Sequence, residues 1–488
     1  MVTVEPMPHR IFEIDEILRV IVWHTGNTSE VTTVSLACCC KAFEEPALSL
    51  LWVSKSLNNL LSLLPSILTP TTELTARSTE EEWKRFRQYA SWVWVLLVDL
   101  SPRYVTQEFA LLNLIAQSST DGSAQQATTT VFPKLRNLTW YGEPSSLVHL
   151  TLFVSPILTD LRVRITTQGE TEHLPGEYTP LEVAINSTIS PSNLRSLCLY
   201  TPLEANPGPE LKRSVADLIL RCGSTLADLE VEFDLPESVV LHLMSLPNLM
   251  IWRAAQPAPT KILSSPPRSA VPFAQMRYLA LSTATPQSWL SFISSLVGAK
   301  SHPSVPHVPA LSFGNLTHFD MDMPRRQTCI FSCTFLLADS DISLLADALP
   351  RLEWVWLGMP CHFNTCQTTF RSLHTLSTRC PLLKYLCTHI NTTTLVQDIR
   401  SVLEEDNDRT ETQGAGPLGP SVGKRSFPLE VRHAHSLPLE GNVGVDDLEV
   451  VAKGLFDISV TLDPNVTVLG PNCELWRKVY EGIKALHV

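Results

Sequence analysis

Phe132-Pro-Lys-Leu-Arg-Asn-Leu-Thr-Trp140 decides the fold, because its wording returns along the chain. Close copies are Leu158-Thr-Asp-Leu-Arg-Val163, Asn193-Leu-Arg-Ser-Leu-Cys-Leu199 and Leu226-Ala-Asp-Leu-Glu-Val-Glu-Phe233. Five more follow at Pro247 to Trp252, Met276 to Leu281, Asn315 to Met321, Pro350 to Leu357 and Cys380 to Leu386. Each reads Leu-x-x-Leu-x-Leu or a near variant. An apolar residue three positions on, then another two on, fits a turn leading into a short strand whose alternate side chains point inward.

Helix-like stretches separate the copies: Glu108 to Gln117, Leu211 to Cys222, Gln287 to Val297, Ile342 to Leu349 and Phe370 to Arg379. Strand then helix, at intervals of about 23 to 40 residues, is the pattern of leucine-rich repeats, in which no unit buries its apolar side alone. The expected fold class is therefore α/β. Its body is an irregular leucine-rich-repeat solenoid, a horseshoe of parallel strands with outer helices. A doubly wound parallel sheet is the alternative, since the repeats vary in length and lack a steady Asn after the strand. Trp92 to Leu100 reads as the first strand, and Val431 and Ile458-Ser-Val-Thr-Leu462 as the last. Long loops are expected at 118–130, 201–210, 255–272, 299–310 and 406–427, the last of them disordered. Leu475 to Leu486 has helical spacing and would cap the end. The repeat body then spans 86–470, the cap 471–488, a helical linker 58–85 and an N-terminal helical module 1–57.

If the strands are placed correctly, residues alternating with the buried leucines share the open face. Asn137, Thr139, Asp160 and Arg162 belong to that set. The candidates for binding a partner are Asp228, Glu230, Glu232, Tyr278, His318, Asp320, Asp322, Trp354, Trp356 and Tyr385. Aromatic anchors beside carboxylates suit a partly basic protein segment, while a register slip of one residue would exchange the faces.

At the N-terminus, Ile14, Ile17, Leu18, Ile21 and Val22 form one apolar stripe on a helix of about three turns. Gly26-Asn27-Thr28-Ser29 ends it and offers an N-cap to a second helix carrying Val31, Val34, Leu36, Cys39, Cys40 and Phe43. Pro46 and Trp52 fall in a third, shorter segment. Read from spacing alone, the stretch is a helical cap on a larger domain or a module that needs a partner.

Ile14-Asp15-Glu16-Ile17-Leu18 with Ile21-Val22, then Leu36-Ala37-Cys38-Cys39-Cys40-Lys41-Ala42-Phe43, Pro46 and Leu51-Trp52, resembles the F-box, and fungal F-box proteins in particular. Asp15 stands where the family has Pro, and Val22 where it has an aromatic residue. The resemblance covers roughly one tenth of the chain. It implies a substrate receptor of an SCF-type cullin-RING ubiquitin ligase. Residues 11 to 52 would hold the Skp-family adaptor, and through it a cullin scaffold, by Ile14, Ile17, Leu18, Ile21, Leu36, Phe43, Pro46 and Trp52. The repeat body would present an unknown protein substrate for ubiquitination. Such a subunit is not an enzyme, since its contribution is proximity. The other class of function is a repeat scaffold outside any ligase.

The 488 residues, 44% of them hydrophobic, suit a folded chain with more than one domain. The densest apolar run, Trp92-Val-Trp-Val-Leu-Leu-Val98, is far short of the roughly 18 residues of a membrane span, so no membrane partner is expected. Glu5, Glu13, Asp15 and Glu16 stand where a secretory leader would be basic and then apolar. Twelve cysteines, three consecutive at 38–40, read as reduced thiols, which places the chain in the cytoplasm or nucleus. The sequons at Asn137 and Asn391 then read as unused. A net charge of −12 argues against nucleic-acid binding, which rests on clustered Lys and Arg.

Catalytic motifs are thin, and no cofactor is expected. Cys361-His362 with Cys366, and Cys329 with Cys333, lack the paired spacing of a structural zinc site. His318, Asp320 and Asp322 would make a metal or acid/base site only if they converged. Gly414-Ala-Gly-Pro-Leu-Gly419 contains a Pro and follows a polar run instead of a strand, and Gly423-Lys424-Arg425-Ser426 lacks the upstream glycine of a phosphate loop.

Overall fold

The computed structural model describes residues 14–26, 29–64, 79–100, 131–166, 178–187, 189–201, 208–233, 235–254, 275–281, 315–320, 338–357, 368–387, 394–412 and 450–453, with a few single positions such as Leu112 and Phe273. They are α/β, and the chain divides into two compact units, 1–226 and 227–488.

The first unit opens with three helices, α1 (Asp15–Gly26), α2 (Glu30–Cys39) and α3 (Lys41–Leu51). Leu18 and Val22 of α1 meet Phe43 and Ala47 of α3 in a small core, edged by Ile21, Leu36 and Leu50. Gly26 sits close against this packing, and a Cβ there would push the end of the Leu50 side chain aside. Ser29 caps α2, its hydroxyl accepting from the Val31 N–H at 3.2 Å, as its position after Gly26 predicts. The second helix does not run on to Phe43. Cys40 is extended at φ −160° and ψ 158°, so Phe43 and Pro46 both belong to α3.

Past α3 the chain enters a sheet at once. Strand β1 (Ser54–Ser56) pairs in parallel with β2 (Val95–Asp99), and between them lie α4 (Leu57–Leu61) and α5 (Glu80–Ala90). Thr79 and Glu82 close a capping box at the start of α5. The strand β1 sits inside the stretch read from sequence as a helical module. Strands β3 (Asn137–Gly142), β4 (Asp160–Ile165) and β5 (Ser196–Tyr200) add in sequence order, all parallel. A 3-10 helix (Pro144–Leu152), α6 (Thr179–Ser187) and α7 (Pro209–Arg221) alternate with and follow them.

The second unit repeats the plan with β6 (Asp228–Val231), α8 (Glu237–Ser245), β7 (Ile251–Ala254), β8 (Tyr278–Leu281), β9 (His318–Asp320), α9 (Asp339–Ala348), β10 (Trp354–Trp356), α10 (Phe370–Arg379), β11 (Tyr385–Cys387) and α11 (Leu395–Thr412). Its strands are parallel and adjacent in chain order. Thus all nine copies of the leucine phrase become strands, β3 to β11. The expected loop at 406–427 is corrected at its start, since α11 continues to Thr412. The expected strands at Val431 and Ile458 to Leu462, the helix Gln287 to Val297 and nearly all of Glu108 to Gln117 and Leu475 to Leu486 lie outside the described residues.

One hydrogen-bond figure recurs at every described step within each unit. The carbonyl just before a strand accepts two successive N–H groups at the start of the next strand. Val53, Trp94, Arg136 and Thr159 do this in the first unit, and Ala227, Met250, Arg277, Thr317 and Glu353 in the second, at 2.7–3.0 Å. Because each strand is anchored at the same point, the register carries no slip, and equivalent residues form straight rows. The buried row of the second unit is Leu229, Trp252, Leu279, Phe319, Val355 and Leu386, each at most 1% exposed. Leu96, Leu138, Leu161 and Leu197 form its counterpart in the first unit. Neighbouring helices pack against one another as well. Asp339 at the start of α9 accepts from the Thr369 N–H and hydroxyl at 2.7 and 2.6 Å and from the Ser372 hydroxyl, tying α10 to α9.

Candidate interaction surfaces

The open face of the second unit carries the residues that alternate with the buried row. Strand register aligns Asp228, Ile251, Tyr278, His318, Trp354 and Tyr385 in one line, and Glu230, Arg253, Ala280, Asp320 and Trp356 in the next. All except the buried Ala280 are half-buried. Planar groups then stand in sequence across five strands. The Arg253 guanidinium carbon is 4.6 Å from the Tyr278 ring centroid. Tyr278 to His318 is 6.0 Å, His318 to Trp354 6.2 Å and Trp354 to Tyr385 5.0 Å, with interplanar angles of 29°, 24° and 7°. Trp356 lies 6.0 Å from Trp354 at 19°. Stacks of this spacing stabilise beyond the area they cover and fix the rings in place.

Carboxylates flank the stack. Arg253 Nη1 donates to both Glu230 oxygens at 2.9 and 3.1 Å, and the Tyr278 hydroxyl donates to Asp320 Oδ2 at 3.0 Å. Burial, reinforced by the Asp320 charge, pushes the Tyr278 hydroxyl well above its usual range, so it stays a donor. Burial also lowers His318, with Glu353 opposing and Lys384 assisting, so the imidazole favours its neutral form. Its Nδ1 lies 2.9 Å from the Thr317 hydroxyl.

Most of the residues expected to bind a partner are therefore brought together. Asp228, Glu230, Tyr278, His318, Asp320, Trp354, Trp356 and Tyr385 share this face, Glu232 is half-buried just past β6, and Asp322 lies outside the described residues. Arg253 is absent from the expected set, although extending the Leu-x-Leu alternation one position beyond Trp252 places it outward. In the first unit the corresponding face holds Asn137, Thr139, Asp160 and Arg162 as the alternation requires, and Arg164 stands 5.8 Å over Tyr200.

On the N-terminal helices the expected adaptor residues separate into two groups. Leu18, Phe43 and Pro46 are buried in the module's own core, so they shape it and offer no surface. Ile17, Ile21 and Leu36 are half-buried, and Trp52 packs on Tyr89 of α5 with ring centroids 4.6 Å apart. Ile14, 44% exposed, is the one fully outside. The more prominent residues lie outside the expected adaptor set: Val20 and Trp23 on α1 are each 56% exposed, and Val31 and Val34 on α2 are 74% and 49%. Their i, i+3 spacing makes a ridge on each helix. Asp15 begins α1 and pairs with Arg19 at 2.6 Å in solvent.

Among the described residues no group of three or more His, Cys, Asp or Glu side chains is placed to hold a metal, and no helix is long and apolar enough to cross a membrane. Cys222 and Cys380 are buried thiols pushed up to about 12 by desolvation, which keeps them protonated and weak as nucleophiles. Cys329, Cys333, Cys361, His362, Cys366 and the glycines of 414–423 lie outside the described residues. No family model matches the chain, and no curated protein matches it in sequence.

Proposed function

We propose that this chain is a non-catalytic substrate receptor of an SCF-type cullin-RING ubiquitin ligase, with helices α1 to α3 as an F-box that binds a Skp-family adaptor. Its strand-and-helix units are leucine-rich repeats, and the open face of β6 to β11 binds the target protein. The observation that carries the reading is the pair of exposed apolar ridges, Val20 with Trp23 and Val31 with Val34, on helices that already have a core of their own. Solvent-facing apolar side chains grouped on so small a module mark a partner's footprint.

Truncation is a poor test here, because removing residues up to Asn58 takes β1 away and bares the edge of β2. Surface substitutions serve better. The full chain should capture purified Skp-family adaptor, and Val20→Asp with Trp23→Asp should abolish capture while leaving the melting curve in place. Failure of the unaltered chain to bind adaptor overturns the reading. Asp15 in the family's Pro position favours that second outcome, a repeat protein that binds partners outside any ligase.

A further inference from the structure

We infer that the open face of the first unit binds an extended acidic segment of a partner protein, whose aspartate or glutamate carboxylates are taken by Arg162 and Arg164. This stands apart from the ligase reading, which places the adaptor on α1 to α3 and the target on β6 to β11.

Arg162 and Arg164 lie two residues apart on β4. They alternate with the fully buried Leu161 and Val163, so both belong to the open face, and both are exposed. Neither forms an ion pair among the described residues. Arg162 has no side-chain partner there, and Arg164 lies 5.8 Å over the Tyr200 ring. The outward arginine of the second unit, Arg253, is by contrast held by Glu230. The carboxylates of this face are placed otherwise: Asp160 Oδ2 accepts from the Thr159 hydroxyl at 2.6 Å, and Asp99 stands on β2, two strands from β4. At the strand entrances Arg136 and Arg195 are exposed and also lack a carboxylate partner among the described residues, Arg136 lying 4.7 Å from the Trp94 ring. Strands β2 to β5, with the residue before each, thus carry four guanidiniums and two carboxylates in a chain at −12 overall.

Spacing says which anion fits. In an extended chain alternate side chains stand about 7 Å apart, the same interval that separates Arg162 from Arg164. Carboxylates at every second position of a segment laid along β4 therefore meet one guanidinium each, and each can be gripped by two N–H groups. Leu97, 39% exposed, and the half-buried Tyr141 add apolar contact. A nucleic acid fits less well, since its unbroken row of phosphates meets the chain's net negative charge.

The test uses the full chain and a fluorescein-labelled peptide of alternating glutamate and glycine, titrated by anisotropy at ~0.15 M salt, where long-range attraction is screened. A glutamine-glycine peptide and an oligothymidine strand, labelled alike, are titrated in parallel. The glutamate peptide should bind at least about tenfold more tightly than either, a difference of ~1.4 kcal/mol. Arg162→Gln with Arg164→Gln should remove that preference, whereas Arg213→Gln, on α7, subtracts one positive charge elsewhere and should leave it intact. Circular dichroism melts show whether each variant is folded, and Arg162→Gln, which has no partner to lose, answers alone if the double variant is not. Equal binding of the two peptides, no binding of the glutamate peptide, or a preference untouched by these substitutions would overturn the inference. So would oligothymidine binding at least as tightly as the glutamate peptide, which would make the face a nucleic-acid site. Loss of adaptor capture leaves this inference standing, because the arginines and the peptide are read without the adaptor.

Discussion

The guanidinium of Arg253 lies 4.6 Å over the ring of Tyr278 while both oxygens of Glu230 accept from it. Three consecutive strands thereby exchange side-chain contacts on the open face. The Glu230 side chain is only 14% exposed and that of Arg253 41%, so the pair is partly shielded from water. Glu230→Gln keeps one acceptor and removes the charge, and should lower stability by about 1 kcal/mol, between an exposed pair and a buried one. Arg253→Lys should cost at least as much, because an ammonium cannot satisfy both carboxylate oxygens and the ring together. A double-mutant cycle in urea checks the coupling; additive losses would mean that the contact contributes nothing.

Alternation along β4 gives a second expectation. Leu161 is fully buried and its neighbour Arg162 is exposed. Leu161→Ala should destabilise by about 2–5 kcal/mol through lost transfer energy and a cavity. Arg162→Ala should change stability by no more than about 0.5 kcal/mol. Denaturant melts of the two variants decide whether the register is right, since a slip of one residue would reverse their order.

That register is legible in the amino-acid sequence alone, and particular residues show why. Leu229 between Asp228 and Glu230, or Phe319 between His318 and Asp320, leaves little choice about which side faces inward. Strand β1 is not legible: Ser54-Lys55-Ser56 has no apolar residue, and it becomes a strand because Val53 offers its carbonyl to Trp94 and Val95. The helix break at Cys40 is hidden in three identical residues. Helices Thr179–Ser187 and Glu237–Ser245 are too short to declare a period. On the candidate site, alternation finds the aromatic row but stops at Trp252, one residue before Arg253. At the N-terminus an apolar stripe marks a face that is covered, and it cannot say whether the cover is the module's own α3 or a partner. For Leu18 the cover is α3.

Thiol reactivity should divide along burial. Cys38, Cys39 and Cys40 are exposed, whereas Cys198, Cys222 and Cys380 are buried. A brief pulse of N-ethylmaleimide at neutral pH, read site by site by peptide mass mapping, should label the first three and spare the others. Urea should render all six reactive. Labelling of Cys380 in the native chain would contradict its position beneath the Ala346 and Leu349 carbonyls.

Stability should fall as the solution is acidified, and His318 should account for part of the fall. Its folded-state pKa lies below the ordinary value of 6.5 because burial disfavours the imidazolium. The unfolded chain therefore binds the proton first, so the contribution is fully present above about pH 6.5 and is lost as pH drops toward the folded value. His149, in the first unit, is lowered by burial as well and acts in the same direction. His318→Asn removes one titrating group while leaving a polar side chain beside Thr317. The variant's melting temperature should vary less with pH between pH 7.5 and pH 5 than the parent's, by the share that His318 supplies. The expected sign is specific. Were His318 held in place chiefly by the Glu353 charge, its pKa would rise instead, and acidification through the same range would stabilise the parent relative to the variant.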